Sequence, residues 1–486
     1  MTEPDVTAKV RYPQVKKMAS PGALRSRLAE LELEVPVDEA VESAGPLASA
    51  FVVNDSSGPR TVGNRFAILP MEGWDGTTGG GPTELVERRW KRFGHGGAKL
   101  VWGEATAVIP DGRANPNQLV MSEGNLADVG VLRAALVAAH RDRFGATDDL
   151  LVGLQLTHSG RWSRPNGAPE PRLAHAHPLL AGRTAPGATV FTDDELRGLV
   201  DVYVAAAVRA QRAGFDFVDV KHCHGYLLHE LLTAVDRPGQ FGGSFDGRTR
   251  FFRTVVERIR VEAPGLAVAL RLSAYDFVPF APGEGRVGRA DELGTGPRPF
   301  GGDATGTGVD LTETHAMLDL CSELGVGLVS ITAGSPYYNP HIQRPAYFPP
   351  SDGYLPPEDP LVGVVRMIDA TRELQRRHPG IAVVTGGMSY LQDWIADVGQ
   401  HLVADGSATS IGLGRMALSY PDLPADVLAG NDLDRRLVCR TLSDCTTAPR
   451  NGLISGCFPL DDFYKGRPER IELAEIKRRL RTSSGD

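Results

Sequence analysis

The stretch VKHCHGYLLHELL, residues 220–232, gathers a lysine, three histidines, a cysteine, a tyrosine and a glutamate. Three chemistries compete for it. As a metal site, His222 and His224 would alternate on a strand and share one face, with Cys223 on the other. Structural zinc takes about four ligands from well-spaced pairs, and no second Cys/His pair lies nearby in the sequence. As plain structure, some of these imidazoles cap or pack, and His229, one turn into a following helix, reads that way. As a strand end, the run would aim Lys221, His224 and Tyr226 at the face where barrel enzymes hold their chemistry. The remaining strand ends favour this third reading.

Those ends are specialised together. QLTHSGR places Gln155, a donor and an acceptor, close to Arg161, a fixed cation. RLS puts Arg271 inside an otherwise apolar run, where an unpaired guanidinium is costly. GG at Gly386 and Gly387, and GLGR at Gly414 and Arg415, bring close-approaching backbone N–H groups and a phosphate-pairing cation to the last two runs. A phosphate site after strands seven and eight recurs in (β/α)8 barrels. A phosphorylated cofactor is therefore expected.

The elements that position these residues alternate along the chain. Strands are expected over 66–71, 99–105, 151–156, 217–221, 267–272, 328–332, 382–387 and 409–415, with an amphipathic stretch after nearly every one. Near-continuous apolar strands fit a parallel sheet buried on both faces. About eight such units favour a closed barrel, and FAILPMEGWDG lacks the GxGxxG turn of an open dinucleotide sheet. The expected fold class is α/β, a (β/α)8 TIM barrel. Its flanks are an N-terminal extension (1–60, a short helix and a polar linker), a long Gly/Pro-rich loop after strand five, and a C-terminal tail (431–486). The barrel itself occupies 61–430.

Composition narrows the function classes. A net charge of -8 with no basic block argues against nucleic acid as a partner. No run is long and apolar enough for a membrane span, and the opening residues carry no secretory signal. A cytoplasmic protein acting on a small molecule is expected, and a homo-oligomer is compatible with this. Five cysteines, three of them close together near the C-terminus, do not form a secreted disulfide pattern.

NRFAILPM, GEATAVIPDGR, VGLQLTHSGR, HGYLLHELL, FGGSFDGRTRF, LRLS, VTGG and GLGRMALSYPDL occur in one order over residues 63–423. In this the chain resembles the old yellow enzymes, FMN-dependent barrel oxidoreductases. HGYLLHELL and the cysteine-bearing tail are most similar to the subgroup of 2,4-dienoyl-CoA reductase and trimethylamine dehydrogenase. The resemblance implies that the backbone of Pro70 and Met71 lies along the flavin edge and that Ala105 packs at its ring. Gln155 would pair with the pyrimidine side, and Arg271 would face the N1/C2 region. Gly386, Gly387, Gly414 and Arg415 would hold the phosphate. Tyr226 matches the proton donor and His224 a residue that binds the substrate carbonyl.

Departures from the family pattern are informative. The second carbonyl-binding position, usually histidine, is Lys221, which suits a carbonyl or a carboxylate. Glu72 stands where relatives often carry threonine or cysteine; it is protonated, or paired with Lys221, or a solvated loop residue facing away. In the subgroup, four cysteines hold a 4Fe–4S cluster. Here Cys445 and Cys457 keep the last two places, Val438 and Thr441 occupy the first two, and Cys439 is displaced by one. A cluster normally needs four thiolates, so none is expected, nor is any other metal, and no further nucleotide-binding domains are expected. Electrons would come directly from NADH or NADPH. The expected reaction is reduction of a carbonyl-activated alkene. Desaturation or amine demethylation on the same barrel is the alternative, and a non-redox phosphate-binding barrel the third reading.

Overall fold

The computed structural model describes residues 12–294 and 296–483. Eight parallel strands close into a barrel in sequential order. They are β1 (Phe66–Ile68), β2 (Leu100–Ala107), β3 (Leu151–Thr157), β4 (Phe217–Val220), β5 (Ala267–Ser273), β6 (Leu328–Thr332), β7 (Ala382–Thr385) and β8 (Ser410–Leu413). Strands β1, β7 and β8 end two or three residues before the expected limits. Pro70, Met71, Gly386, Gly387 and Gly414 therefore stand in the loops above the strands, and Arg415 opens a short helix, Arg415–Ser419.

Helices with one apolar stripe pack around the sheet. The helix Asp193–Arg212 buries Leu196, Leu199, Val200, Tyr203 and Val204 at helical spacing, and a Thr192/Glu195 capping box fixes its start. Glu84–His95 and Pro360–Arg377 follow the same plan after β1 and β6.

The barrel interior grades from apolar to charged. Side chains two apart share a face, so β3 presents Leu151, Gly153 and Gln155, and β4 presents Phe217, Asp219 and Lys221. Likewise β5 presents Ala267, Ala269 and Arg271, and β6 presents Leu328, Ser330 and Thr332. Phe217, Ala267, Ala269 and Leu328 belong to the lower core, whereas Gln155, Lys221, Arg271 and Thr332 line a cavity at the carboxyl end. A register shift between Gly103 and Ala105 adds a residue to β2. The bulge sends Glu104 to Arg89 and Trp90, at 2.7 and 2.9 Å, and turns Ala105 into the cavity.

The N-terminal extension holds the expected short helix, Pro21–Glu30. Its "polar linker" is instead an antiparallel hairpin, Phe51–Asp55 with Gly58–Val62. Phe51, Val53 and Val62 face inward and seal the lower core; the alternation was short enough to pass for a polar loop. Residues 1–11 lie outside the described residues. The Gly/Pro-rich loop after β5 contributes a three-residue hairpin, Phe280–Pro282 with Gly288–Ala290.

Candidate active site

The upper end of the barrel opens into a cavity of about 370 Å³. Pro70, Met71, Ala105, Gln155, Lys221, His224, Tyr226, Arg271, Gly387, Gly414 and Arg415 all line it. Gly386 does not. A Cβ there would lie 2.5 Å from the Ile331 carbonyl, so close strand packing requires this glycine. Gly387, by contrast, sits at φ 74°, a left-handed conformation that opens the loop toward the cavity.

One end of the cavity is a cationic cradle. Arg415 donates from Nη2 to the Pro345 carbonyl at 2.8 Å, while its Nη1 is buried without a partner. Arg344 donates to Thr446, and its Nη2 is likewise orphaned. Burial, with repulsion from Arg450 and Arg415, draws Arg344 down to about 9. Burial lowers Arg415 in the same direction. Two desolvated guanidiniums with free N–H groups need an anion between them. A phosphate next to Gly387 and Gly414 meets that need.

The floor is preset by Asp219. Its carboxylate accepts from Gln155 Nε2 at 2.6 Å, Trp102 Nε1 at 3.2 Å and the Arg271 backbone at 2.7 Å. Burial pushes its pKa up to about 6, against the Gln155 hydrogen bond and Arg271. With Nε2 bound below, the Gln155 amide turns its oxygen and remaining N–H upward. Beside it, buried Arg271 has an unpaired Nε. A planar heterocycle carrying both donors and acceptors, and able to hold negative charge, fits this floor. FMN therefore fits both halves of the cavity.

The reactive groups stand on the opposite side. Tyr226 Oη lies 2.9 Å from Tyr337 Oη, and Lys221 Nζ sits 3.9 Å over the Tyr226 ring. Tyr337 stacks on Trp162 with centroids 4.3 Å apart, which fixes the tyrosine pair. Burial, then Tyr337 and Glu72, keeps Tyr226 well above the usual phenol range. Burial holds His224 neutral, and its Nε2 lies 3.2 Å from Thr332 Oγ1 and 3.3 Å from the Gln343 amide. Burial draws Lys221 down to about 8.

Several expectations need correcting. His222 and His224 do not share a strand face: β4 ends at Val220, and His224 turns into the left-handed region at φ 66°. His222 packs edge-on against Phe252 and bonds the Val220 carbonyl at 2.8 Å. Arg161, a fixed cation as expected, is held by Glu230 through bonds of 3.0 and 2.7 Å. Glu72 does not face away. It lines the cavity, accepts from Asn115 at 2.5 Å, and is pushed up to about 7 by burial against the pull of Lys221. His229 is structural, its Nδ1 accepting from Gly225 N at 2.9 Å.

The C-terminal tail forms one wall of the site. Asp461 pairs with Arg88 at 2.9 Å and Arg92 at 2.6 Å, tying the tail to the first barrel helix. Cys445, Thr446, Arg450 and Ser455 thereby line the main cavity. Cys439, Cys445 and Cys457 converge beside Arg415 around a smaller one. Sequence reasoning also missed Tyr337, Arg344 and Asp219. Tyr337 and Arg344 follow β6, where a barrel site is expected; Asp219 is an acid in the middle of an apolar strand.

Fold and site define a (β/α)8 barrel with a polar, partly cationic cavity above its carboxyl end. Residues 56–285 match the model of the NADH:flavin oxidoreductase / NADH oxidase family. An NADH:flavin oxidoreductase of Gibberella zeae is 31% identical over 199 residues, 37% of this chain and 46% of that protein. An NADPH dehydrogenase of Clostridium acetobutylicum is 28% identical over 219 residues, 44% of this chain and 61% of that protein. The aligned stretch thus spans less than two thirds of either relative. A solved 2-naphthoyl-CoA reductase complex shares the fold, with a TM-score of 0.65 at 17% identity over 87% of this chain and 58% of the other. Among the described residues no helix is long and apolar enough to cross a membrane.

Proposed function

We propose that this protein is an FMN-dependent NAD(P)H oxidoreductase that reduces a carbonyl-activated alkene, with residues 61–430 as the cofactor-binding barrel. The observation that supports this reading is one cavity shared by two buried arginines, a polar floor and a buried tyrosine. Arg344, Arg415, Gly387 and Gly414 hold the phosphate, Gln155 the pyrimidine edge, and Arg271 the N1/C2 side. The backbone of Pro70 and Met71, with Ala105, borders the ring. Bound FMN, once reduced by NADH or NADPH, supplies the hydride.

The chain supplies the rest. His224 and Lys221 orient the substrate oxygen and take up its developing charge. Tyr226 gives its phenolic proton to the α-carbon, since burial keeps it protonated throughout the neutral range. Lys221 over the ring stabilises the phenolate left behind, and Tyr337 at 2.9 Å is placed to return a proton.

Glu72 would favour the alternative, oxidation of a cationic amine, but Lys221 in the same chamber repels a cation. Stopped-flow of the separate half-reactions tests the assignment. Tyr226→Phe should leave flavin reduction by NADPH nearly intact and slow reoxidation by cyclohexenone by roughly 10²–10⁴. Reoxidation at the parent rate would remove Tyr226 as the acid. A protein that purifies colourless and takes up no flavin would leave only the non-redox barrel.

A further inference from the structure

The C-terminal tail encloses a second polar space that the flavin-dependent reading leaves unused. Cys439, Cys445 and Cys457 line it with Arg415 and Thr441, around a volume of about 20 Å³. One water needs about 10–15 Å³, so water or a molecule hardly larger fits. Thr441 is 1% exposed, and among the described residues its Oγ1 has no partner. A buried hydroxyl in this state costs stability until a small polar molecule answers it. Thr441 at φ 50° and Ser443 at φ 62° are left-handed, and these two reversals fold Cys439 and Cys445 onto the same space.

The three thiols are not equivalent. Cys439 and Cys457 are buried, whereas Cys445 is partly exposed and lines the main cavity as well. The Arg344 and Arg415 guanidiniums both lie near enough to attract its sulfur. A partly exposed thiol among fixed cations is where a cysteine becomes nucleophilic. Cys439 shares Arg415 with it, while the Cys457 sulfur is engaged by the Leu460 and Asp461 amides.

We propose that this space is a peroxide-reactive thiol site, with Cys445 as the attacking group and Cys439 as its partner. Peroxide entering the main cavity reaches Cys445, and the Thr441 hydroxyl hydrogen-bonds it. The Cys445 sulfur attacks one peroxide oxygen, the O–O bond breaks, and water leaves as the S–O bond of a sulfenic acid forms. Cys439 then attacks that sulfur; a disulfide forms, the S–O bond breaks and a second water leaves. Two thiols together give up two electrons, and one peroxide is reduced to two waters. The site stands independently of the flavin reading, because thiol loss is read without cofactor or turnover.

The test treats the whole chain, reduced and then freed of reductant without oxygen, with hydrogen peroxide at pH 7. Arg436, Arg440 and Arg450 let trypsin place the three tail cysteines on separate peptides, so alkylation and mass spectrometry read the linkage. Two of the five thiols should be lost, with the Cys439 and Cys445 peptides joined and Cys223, Cys321 and Cys457 still alkylated. Cys439→Ser should stop the reaction at the sulfenic acid, captured on Cys445 by dimedone, and Cys445→Ser should prevent loss of any thiol. Where a variant does not fold, the parent map decides alone. A Cys445 that keeps its thiol, a disulfide to Cys457 instead, or loss of Cys223 and Cys321 at the same rate would each overturn the proposal.

Discussion

Replacing Arg344 by methionine should move cofactor affinity and apoprotein stability in opposite directions. Arg344 is a base drawn from 12.5 down to about 9 by burial and by Arg450 and Arg415. It still carries its charge at pH 7. The destabilisation is therefore complete below pH 9, and it fades only as pH rises from there toward the unfolded value. A fall of this size corresponds to on the order of 5 kcal/mol without relaxation. Relaxation and an effective interior dielectric near 20 reduce it to about 1–3 kcal/mol. Methionine removes the charge and keeps the stem, but gives up the bond to Thr446, worth about 0.5–1.5 kcal/mol. The apoprotein should thus melt unchanged or up to about 2 °C higher, at about 1 kcal/mol per degree for a chain of this length. FMN should bind roughly 10–150-fold more weakly, from loss of a charge-assisted phosphate contact of about 1.5–3 kcal/mol. Riboflavin, which lacks the phosphate, should bind parent and variant alike. Flavin fluorescence titration and apoprotein melting measure all three quantities. FMN affinity within twofold of the parent, or an apoprotein destabilised by several degrees, would mean that Arg344 is a structural prop and the phosphate lies elsewhere.

Asp219→Asn is nearly isosteric but sets an amide N–H₂ among three donors, so FMN affinity should fall roughly tenfold or more; unchanged fluorescence titration would refute the preset floor. Protein prepared without oxygen should contain no stoichiometric iron, because Val438 and Thr441 supply no thiolate beside Cys439, Cys445 and Cys457. Iron and sulfide analysis near four of each per chain would reverse this.

The barrel was legible because each strand is an apolar run ending in a residue that does not belong in a core. Gln155, Lys221 and Arg271 announced both the strand end and the site. Asp219 sent the same signal two residues earlier, but an acid within FVDV is intelligible only once Gln155, Trp102 and the Arg271 backbone are known to converge on it. Tyr337 and Arg344 were hidden for a different reason. They lie in an irregular loop, 111 residues beyond Tyr226 in the case of its hydrogen bond, and no periodicity reports which loop residues turn inward. The tail's place in the cavity wall was not legible, because its cysteines drew attention away from its acids. Its placement instead rests on Asp461 reaching Arg88 and Arg92 across more than 360 positions.

Charge balance supports the cofactor reading. Asp219 is already satisfied by three donors, and Glu72, pushed up to about 7, is close to neutral at working pH. Lys221 lines the same cavity over the Tyr226 ring. On the proposed flavin reading, a bound phosphate would answer Arg344 and Arg415, and a reduced ring would answer Arg271.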